Sequence, residues 1–246
     1  MYRFFVDRQQ ITDGRAVITG EDVRHIRSVL RMRPGEQILI ACGDEWEYTC
    51  EIEQLSETEV TARVLDAQKP GKELLSHITL FQCLPKGDKM ETVIQKAVEL
   101  GAYSLVPVVS RRCVVKLDPK RAAGKVSRWN NVAASAAKQS KRLIVPEVKP
   151  VCSFRDALQA AQDMDIRLIP YENQEGMVET RRIFSSIRPG DSVAVMIGPE
   201  GGFEDSEIEE AKTAGFYPVT LGKRILRTET AGMTILSILM YLLETD

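Results

Sequence analysis

The sequence contains few of the residues that hold metal ions or disulfide frameworks. Its 246 residues include only two histidines and five cysteines, and the cysteines are odd in number and widely scattered. No Cys-x-x-Cys pair occurs. This pattern is not that of a zinc site or a disulfide scaffold. We therefore expect no bound metal, and reduced thiols as in a cytoplasmic protein.

Long apolar runs are also missing. No apolar stretch reaches the roughly 18 residues that a membrane-spanning helix needs, so we expect no membrane association. Residues 1–7 are too few and too charged for a signal peptide. No internal repeat or low-complexity segment occurs. A hydrophobic content of 43% and a charged content of 28% are ordinary for a globular protein with a substantial core.

The secondary-structure patterns change near residue 70. The first part is rich in strands, with one helix at 21–30 among them. Its predicted strands are 2–6, 37–41, 45–52 and 59–65. In the second part strands alternate with helices of crossover length, which predicts a parallel α/β sheet. The predicted strands are 77–83, 103–109, 165–169, 193–197 and 217–221, and the predicted helices are 88–100, 173–187, 204–214 and 229–243.

Two strands of the second part end in glycine loops. Residues 193–197 are apolar and partly β-branched, as expected of a strand buried on both faces, and a Gly-Pro-Glu-Gly-Gly loop follows directly. Residues 217–221 run into Gly222 in the same way. Parallel α/β sheets bind ligands at the carboxyl ends of their strands. A ligand site is therefore one interpretation of these loops, in which bare backbone at Gly198, Gly201 and Gly222 would face the ligand.

A structural turn is the alternative interpretation of the first glycine loop. The loop lacks the Lys-Ser/Thr pair of a phosphate-binding loop, and its glycine spacing is not that of a dinucleotide fingerprint. The pattern alone does not decide between a turn and a ligand site. A third strand-end loop, Pro170-Tyr171-Glu172, follows the predicted strand at 165–169.

Two segments contain basic residues with almost no acidic ones. Residues 24–33 hold four arginines and no acid. Residues 111–142 hold ten basic residues and a single acid, Asp118. Solvated helix faces usually mix the two signs, so both segments favour a polyanionic partner such as RNA. Trp129 lies in the second segment, where we expect it in the core rather than stacked on a base.

The glycine loops resemble the signatures of a known family. The matching phrases are Ile197-Gly198-Pro199-Glu200-Gly201-Gly202-Phe203 and Leu221-Gly222-x-Arg224-Ile225-Leu226-Arg227-x-Glu229-Thr230-Ala231. They resemble the two signature phrases of the 16S ribosomal RNA uracil-N3 methyltransferases, which belong to the SPOUT class of S-adenosylmethionine enzymes. Residues 135–142 resemble a family segment ending in Gln-x-x-Arg, matched by Gln139 and Arg142. Lys138 departs from the acid that the family often has there.

This resemblance implies a fold, a reaction and partners. The fold would be a PUA-like β-barrel that holds RNA, residues 1–70, followed by a SPOUT parallel α/β domain, residues 71–246, with its ligand loops in a trefoil knot. The reaction would be methylation of N3 of a uridine in small-subunit (16S) ribosomal RNA, with S-adenosylmethionine as the cofactor and no metal. The protein would be a homodimer, with the apolar helix 229–243 facing the other subunit.

The resemblance also implies which residues form the site. The expected cofactor-binding residues are Ile169, Pro170, Tyr171, Ile197, Gly198, Pro199, Glu200, Gly201, Leu221, Gly222, Ile225, Leu226, Arg227, Thr230 and Ala231. The expected RNA-binding residues are Arg24, His25, Arg27, Arg31, Arg111, Arg112, Lys138, Gln139 and Arg142. The expected catalytic residues are Arg227, Arg142 and Glu229. An arginine suits the reaction because its charged planar fork can stabilise the anion that uracil becomes when N3 loses its proton.

Two questions stay open at this level. The acceptor of the N3 proton could be Glu229, Glu200 or Glu172. Glu229 has an alternative role as an acidic residue that the helix dipole favours at the start of a helix. Glu200 has an alternative role in which it does no more than stabilise its loop. The function could instead be methylation of a ribose 2′-OH or of transfer RNA by the same fold, or RNA binding in ribosome assembly without catalysis. The intact glycine and arginine phrases argue against the last, because a silent site has no need of bare backbone.

Overall fold

The computed structural model describes residues 1–172 and 176–245 and divides the chain into two compact units. The first unit consists of Met1–Glu73 and Ala137–Val145, and the second of Leu74–Ala136 and Pro146–Asp246. The change of unit after Glu73 lies near the expected boundary at residue 70. The sequence patterns did not indicate that residues 137–145 pack with the first unit.

The first unit is built on a six-stranded sheet. In spatial order its strands are β1 (Arg3–Phe5), β4 (Gln37–Ala41), β5 (Glu47–Leu55), β6 (Glu59–Gln68), β3 (Arg15–Thr19) and β2 (Ile11–Thr12). β1 and β4 are parallel, and the other neighbours are antiparallel. Alternate side chains point into the core, so that Ile38, Ile40, Ile52 and Val60 are fully buried. The short strands β2 and β3 were not predicted.

The predicted helix of the first unit has two parts. It begins as an α-helix, α1 (Glu21–Arg24), and continues as a π-helical turn over His25–Val29. In this turn the amide of Leu30 donates to the carbonyl of His25 at 2.9 Å. Val23 and Ile26, three residues apart on one helix face, are buried in the core, whereas Val29 is 65% exposed. π-helical turns are rare and occur frequently at functional sites.

The second unit contains the predicted parallel sheet. In spatial order its strands are β10 (Cys152–Ser153), β8 (Ser104–Val109), β7 (His77–Cys83), β12 (Ser192–Ile197), β11 (Ile166–Pro170) and β13 (Tyr217–Val219), and β9 (Glu147–Val148) also pairs with β8. The pairings among them are all parallel. The residues of β12 from Val193 to Ile197 are buried, as predicted. Because β12, β11 and β13 are neighbours, their carboxyl ends lie at one edge of the sheet.

Six helices connect these strands in the part of the unit that the structure describes. They are α2 (Lys89–Glu99), α3 (Pro119–Gln139), α4 (Phe154–Ala160), α5 (Met177–Ser186), α6 (Asp205–Thr213) and α7 (Thr228–Leu243). α2 buries Met90, Val93, Ile94, Ala97 and Val98, and α6 begins at a capping box between Glu204 and Glu207. The predicted start of α5, residues 173–175, lies outside the described residues. α3 and α4 were not predicted, and Trp129 on α3 is buried as expected.

The last helix, α7, is apolar on more than one side. Ile235, Leu236, Leu239 and Leu243 are fully buried against the unit's own core. Tyr241 and Leu242 are among its exposed apolar residues, and Tyr241 keeps 83% of its surface exposed. An apolar helix that is only partly covered is typical of an interface.

Three findings concern the described residues of both units. The five cysteines are free thiols. Within residues 1–172 and 176–245, no helix is long and apolar enough to cross a membrane. Over the same ranges, no group of three or more His, Cys, Asp or Glu side chains is placed to hold a metal ion.

Candidate active site

A cavity of about 780 Å³ lies at the carboxyl edge of β11, β12 and β13. Its walls are the loops that follow these three strands, together with the starts of α2, α5 and α7. Cavities of a few hundred to a thousand Å³ suit a small-molecule cofactor. The strand-end rule therefore located the cavity correctly from the sequence pattern.

Most of the expected cofactor residues line this cavity. They are Pro170, Tyr171, Ile197, Gly198, Pro199, Glu200, Leu221, Gly222, Ile225, Leu226, Arg227 and Ala231. Ile225 is 87% exposed and Leu221 and Leu226 are partly exposed, so they offer apolar surface to a ligand. This mixture of glycine backbone and aliphatic side chains fits an adenosine-containing cofactor, since backbone groups can hydrogen-bond it while aliphatic side chains cover its ring.

Three expected cofactor residues are placed elsewhere. Among the residues that the structure describes, Ile169, Gly201 and Thr230 do not contribute to the cavity wall. Ile169 is fully buried in the sheet. Thr230 lies in the first turn of α7, where its carbonyl accepts a bond from the hydroxyl of Thr234. A side chain on the face of a strand or helix that points away from the cavity cannot reach a ligand bound there. A resemblance between sequence motifs does not reveal which face each residue occupies.

Close packing favours glycine at two positions of the first loop, and that loop also lies at the cavity. A Cβ at Gly198 would lie 3.0 Å from the ring of Phe203, and a Cβ at Gly201 would lie 3.3 Å from the Cβ of Arg112. Gly202 has a φ of +66°. Its backbone N–H donates a hydrogen bond to the carbonyl of Pro199, which closes a turn. A side chain at position 198 or 201 would therefore crowd Phe203 or Arg112, and the expected contact of these two glycines with a ligand stays a prediction.

Gly222 has no such packing contact among the described residues. It lines the cavity, its φ is +113°, and a Cβ built on it has no described atom within 4 Å. A side chain would be strained there and would project into open space. The bare backbone at this position is therefore available to a ligand.

Lys89 joins two of the candidate carboxylates. Its ammonium lies 3.1 Å from Glu200 and 3.5 Å from Glu229. Glu200 also accepts a bond from the backbone amide of Lys86 at 3.0 Å. Burial opposes the ionisation of Glu200, but hydrogen bonds from its own backbone, Lys86 and Lys89 together lower its pKa. The hydrogen bond to Glu200 raises the pKa of Lys89. Glu200 therefore holds its loop, as one interpretation of the sequence proposed.

Glu229 and Glu172 differ in accessibility. Glu229 lies in the first turn of α7, and its Oε2 atom is buried with no hydrogen-bond partner among the described residues. Glu172 is exposed on the cavity wall, within 3.1 Å of a Cβ built on Gly202. No described residue donates a hydrogen bond to the Glu172 side chain. Of the three candidate proton acceptors, Glu172 is thus the one whose carboxylate no described residue engages.

Arg227 is the N-cap residue of α7 and lines the cavity. Its side chain is exposed and forms neither a hydrogen bond nor an ion pair with any residue that the structure describes. The other expected catalytic arginine, Arg142, is 6% exposed and belongs to the first unit. Its guanidinium pairs with Glu73 at 2.6 Å, and it does not line the cavity. The two arginines that resemblance grouped together therefore have different surroundings.

The expected RNA-binding residues of the first unit fall into two groups. Arg24, His25, Arg27 and Arg31 are exposed along and just after the π-helical turn. Arg31 has a φ of +53°, which ends the turn in a left-handed conformation. Lys138, at the end of α3, instead forms an ion pair of 2.6 Å with Asp22. Gln139 is exposed beside it.

The expected RNA-binding residues of the second unit are both engaged with other groups. Arg111 pairs with Glu204 at 2.9 Å and lies 3.8 Å from Glu210. Arg112 donates to the carbonyl of Gly201 at 3.0 Å. Both side chains help to hold the first glycine loop and α6 in place.

Several cavity residues were not expected from the sequence. Lys89, Met177, Lys223 and Thr228 are among them. Lys89 follows β7, a fourth strand of the same parallel sheet, so the strand-end rule could have indicated it. The others lie in loops and helix starts, where neither periodicity nor charge pattern marks a residue.

Comparison with known proteins gives the family. A family model described as an RNA methyltransferase domain matches residues 72–240, and one described as an RNA methyltransferase PUA domain matches residues 18–65. The chain belongs to this RNA methyltransferase family. The resemblance of the two phrases and the predicted fold class, a parallel α/β domain after a PUA-like domain, are confirmed.

Relatives match the chain over nearly its full length. The ribosomal RNA small subunit methyltransferase E of Bacillus subtilis (strain 168) is 40% identical over 250 residues, with 99% of this chain and 98% of the relative covered. The crystal structure of a ribosomal RNA small subunit methyltransferase E from Neisseria gonorrhoeae, bound to S-adenosyl methionine, is 36% identical with a TM-score of 0.85 and covers 98% of each chain. That of a putative methyltransferase from Legionella pneumophila in complex with SAM is 33% identical with a TM-score of 0.86, over 98% of this chain and 97% of the other.

Proposed function

We propose that this protein is an S-adenosylmethionine-dependent methyltransferase that methylates N3 of a uridine in small-subunit ribosomal RNA. The observation that carries the proposal is the cavity at the edge of β11, β12 and β13, because residues of both signature phrases line it. The curated relative from Bacillus subtilis is named for a ribosomal RNA of the small subunit, and two similar structures contain the cofactor.

The cavity suits the cofactor by its shape and by the chemistry of its walls. Gly222 leaves its backbone open, and Leu221, Ile225 and Leu226 provide apolar surface beside it. When bound, S-adenosylmethionine would supply an electrophilic methyl group. The task left to the protein is to hold the uracil edge, remove the N3 proton and stabilise the negative charge that develops on O2 and O4.

Arg227 is our candidate for stabilising this charge. Its guanidinium is on the cavity wall, always charged and not engaged by a described residue, so it can donate to a uracil oxygen without breaking another bond. Glu172 is our candidate for the proton acceptor, because Glu200 and Glu229 share the charge of Lys89. For Glu200, burial opposes ionisation, but hydrogen bonds from its own backbone, Lys86 and Lys89 lower its pKa and make it a weaker proton acceptor.

RNA binding is the proposed role of the exposed basic surface of the first unit, Arg24, His25, Arg27 and Arg31. Guanidinium groups that no described residue engages can bind phosphate directly, and the counterions that the RNA then releases favour binding. Gln139, which is exposed in the same unit, would also contact the RNA. A ribosomal substrate would also require a cytoplasmic location.

The protein also acts, in this proposal, as a homodimer. The exposed apolar side chains of α7, Ile238, Tyr241 and Leu242, would be covered by a second subunit. Light scattering after size-exclusion chromatography tests this directly. A monomer at micromolar concentration would contradict it.

One experiment tests the activity. The purified protein is incubated with S-adenosylmethionine labelled in its methyl group and with small ribosomal subunits that lack the modification, and the RNA is digested for mass spectrometry. We expect the label in 3-methyluridine at one position. Label in a 2′-O-methyl nucleoside or in transfer RNA would identify another reaction of the same fold. Tight binding of RNA and cofactor without label would favour an assembly protein.

A further inference from the structure

A buried chain of hydrogen bonds connects β7 with two walls of the cavity. Gln82 lies next to the end of β7, opposite Ile197 of β12, and is 0% exposed. Its Nε2 donates to the hydroxyl of Thr228 at 2.9 Å. The hydroxyl of Thr228, the first residue of α7, donates to the carbonyl of Gly198 at 2.6 Å. Gly198 and Thr228 both line the cavity.

The direction of each hydrogen bond in this chain is determined. The second proton of Gln82 Nε2 goes to the carbonyl of Cys83 at 3.0 Å, and a carbonyl can only accept. The amide group therefore cannot be turned over, and its first proton points at Thr228. The hydroxyl of Thr228 has a single proton, which is left for Gly198. Only a side chain that both donates and accepts a hydrogen bond can take the place of Thr228 in this series of hydrogen bonds.

The arrangement is not the one that would maximise stability. Gln82 Oε1 is buried and has no hydrogen-bond partner among the described residues. An unsatisfied buried carbonyl is unfavourable, and native proteins contain few of them. An aliphatic side chain at position 82 would avoid it. A geometric function of the Gln82 amide accounts for its presence.

We propose that Gln82 and Thr228 are positioning residues for the cofactor. Together they hold the glycine loop after β12 at a set distance from the first turn of α7, and these are two of the walls between which the cofactor would lie. This inference rests on the proposed binding of S-adenosylmethionine. It predicts that a substitution that removes one of these hydrogen bonds weakens cofactor binding by more than the accompanying loss of stability explains.

The test compares two threonines of similar burial. Thr228→Val removes the hydroxyl and keeps the shape of the side chain. Thr79→Val is the matched control, because Thr79 on β7 is 5% exposed, bonds Ser104 at 2.9 Å, and does not line the cavity. S-Adenosylmethionine affinity is measured by calorimetry, and melting temperature by circular dichroism. We expect about tenfold weaker binding for Thr228→Val and parent affinity for Thr79→Val, with similar falls in melting temperature.

Rescue and failure are separable. Thr228→Ser keeps a hydroxyl and is expected to bind within about twofold of the parent protein. Parent affinity in Thr228→Val, or an equal loss in Thr79→Val, would overturn the positioning role. If Thr228→Val does not fold, Gln82→Leu is tested in its place. We expect this variant to bind S-adenosylmethionine more weakly than the parent protein. Unchanged affinity would overturn the inference. A parent protein that does not bind S-adenosylmethionine would instead refute the proposed function, and with it the cofactor role of the chain.

Discussion

The loop at residues 222–227 and the segment at residues 111–142 both carry basic side chains, but those side chains have different surroundings. Lys223, Arg224 and Arg227 are exposed, and none of them pairs with a carboxylate of the described residues. In segment 111–142 most of the arginines are paired. The pairs are Arg111 with Glu204, Arg121 with Asp118, Arg128 with Glu91 and Arg142 with Glu73.

This difference shows why a one-sign stretch of sequence is an incomplete guide to RNA binding. Asp and Glu residues distant in sequence can neutralise such a stretch when the chain folds. A free guanidinium can bind a new negative charge at once, whereas a paired one must first lose its partner. We therefore expect free side chains to affect catalysis and RNA binding, and buried paired ones to affect stability.

The largest expected effect is that of Arg227→Ala. Removal of one preorganised donor to a developing oxyanion typically lowers turnover by about 10²–10³. Arg227→Lys should recover little, because an ammonium does not reproduce the planar fork. Single-turnover kinetics with saturating RNA and cofactor measures the chemical step. A rate within a few-fold of the parent protein would remove Arg227 from the catalytic residues.

Arg142→Ala should instead lower stability. Arg142 is 6% exposed, and its loss would leave the carboxylate of Glu73 without its ion pair. Breaking a buried pair by removal of one partner costs about 3 kcal/mol. Urea unfolding measures this change. An unchanged free energy of unfolding together with lost turnover would return Arg142 to the catalytic residues that resemblance proposed.

RNA affinity offers a direct contrast between free and paired arginines. The double variant Arg27→Ala/Arg31→Ala should weaken RNA binding about tenfold and reduce the salt dependence of log K by about 1–2, because each lost phosphate contact removes nearly one released counterion. Arg111→Ala, which loses a paired side chain, should change affinity less. Filter binding at several salt concentrations tests both. Equal losses in the two variants would show that the ion pairs of Arg111 do not matter.

The smallest expected effect concerns Glu200 and pH. The pKa of Glu200 lies below its ordinary value of 4.5, so its contribution to stability is present above that pH and is lost as pH falls through the lower folded pKa. Because the pair with Lys89 is partly exposed, we expect Glu200→Gln to cost only about 0.5 kcal/mol near neutral pH. Thermal melts from about pH 7 to pH 3 should show the two proteins converging in acid. A difference that persists at pH 3 would contradict this account.

Much of the site followed from the sequence because it lies in short contiguous phrases. The phrase around Gly198 and that around Leu221 each follow a strand, and parallel strands bring their ends to one edge. The same reasoning missed Lys89, although it follows a strand of the same sheet. It also could not assign Gly201, whose carbonyl faces Arg112, because loop conformation decides where each residue of a loop points.

By itself, the sequence determined several of the strands and helices, the apolar strand β12, the glycine loops and the family, but it did not indicate β2, β3, α3 or α4. These features depend on local periodicity and on short sequence motifs, which can be recognised without a structure. Only the tertiary structure decided that Arg142 pairs with Glu73, that Lys89 lies between two carboxylates, and that Gln82 reaches Thr228. Gln82 and Thr228 are 146 residues apart. Contacts of this kind depend on how distant segments pack, because a side chain's partners are set by the neighbours that folding brings to it.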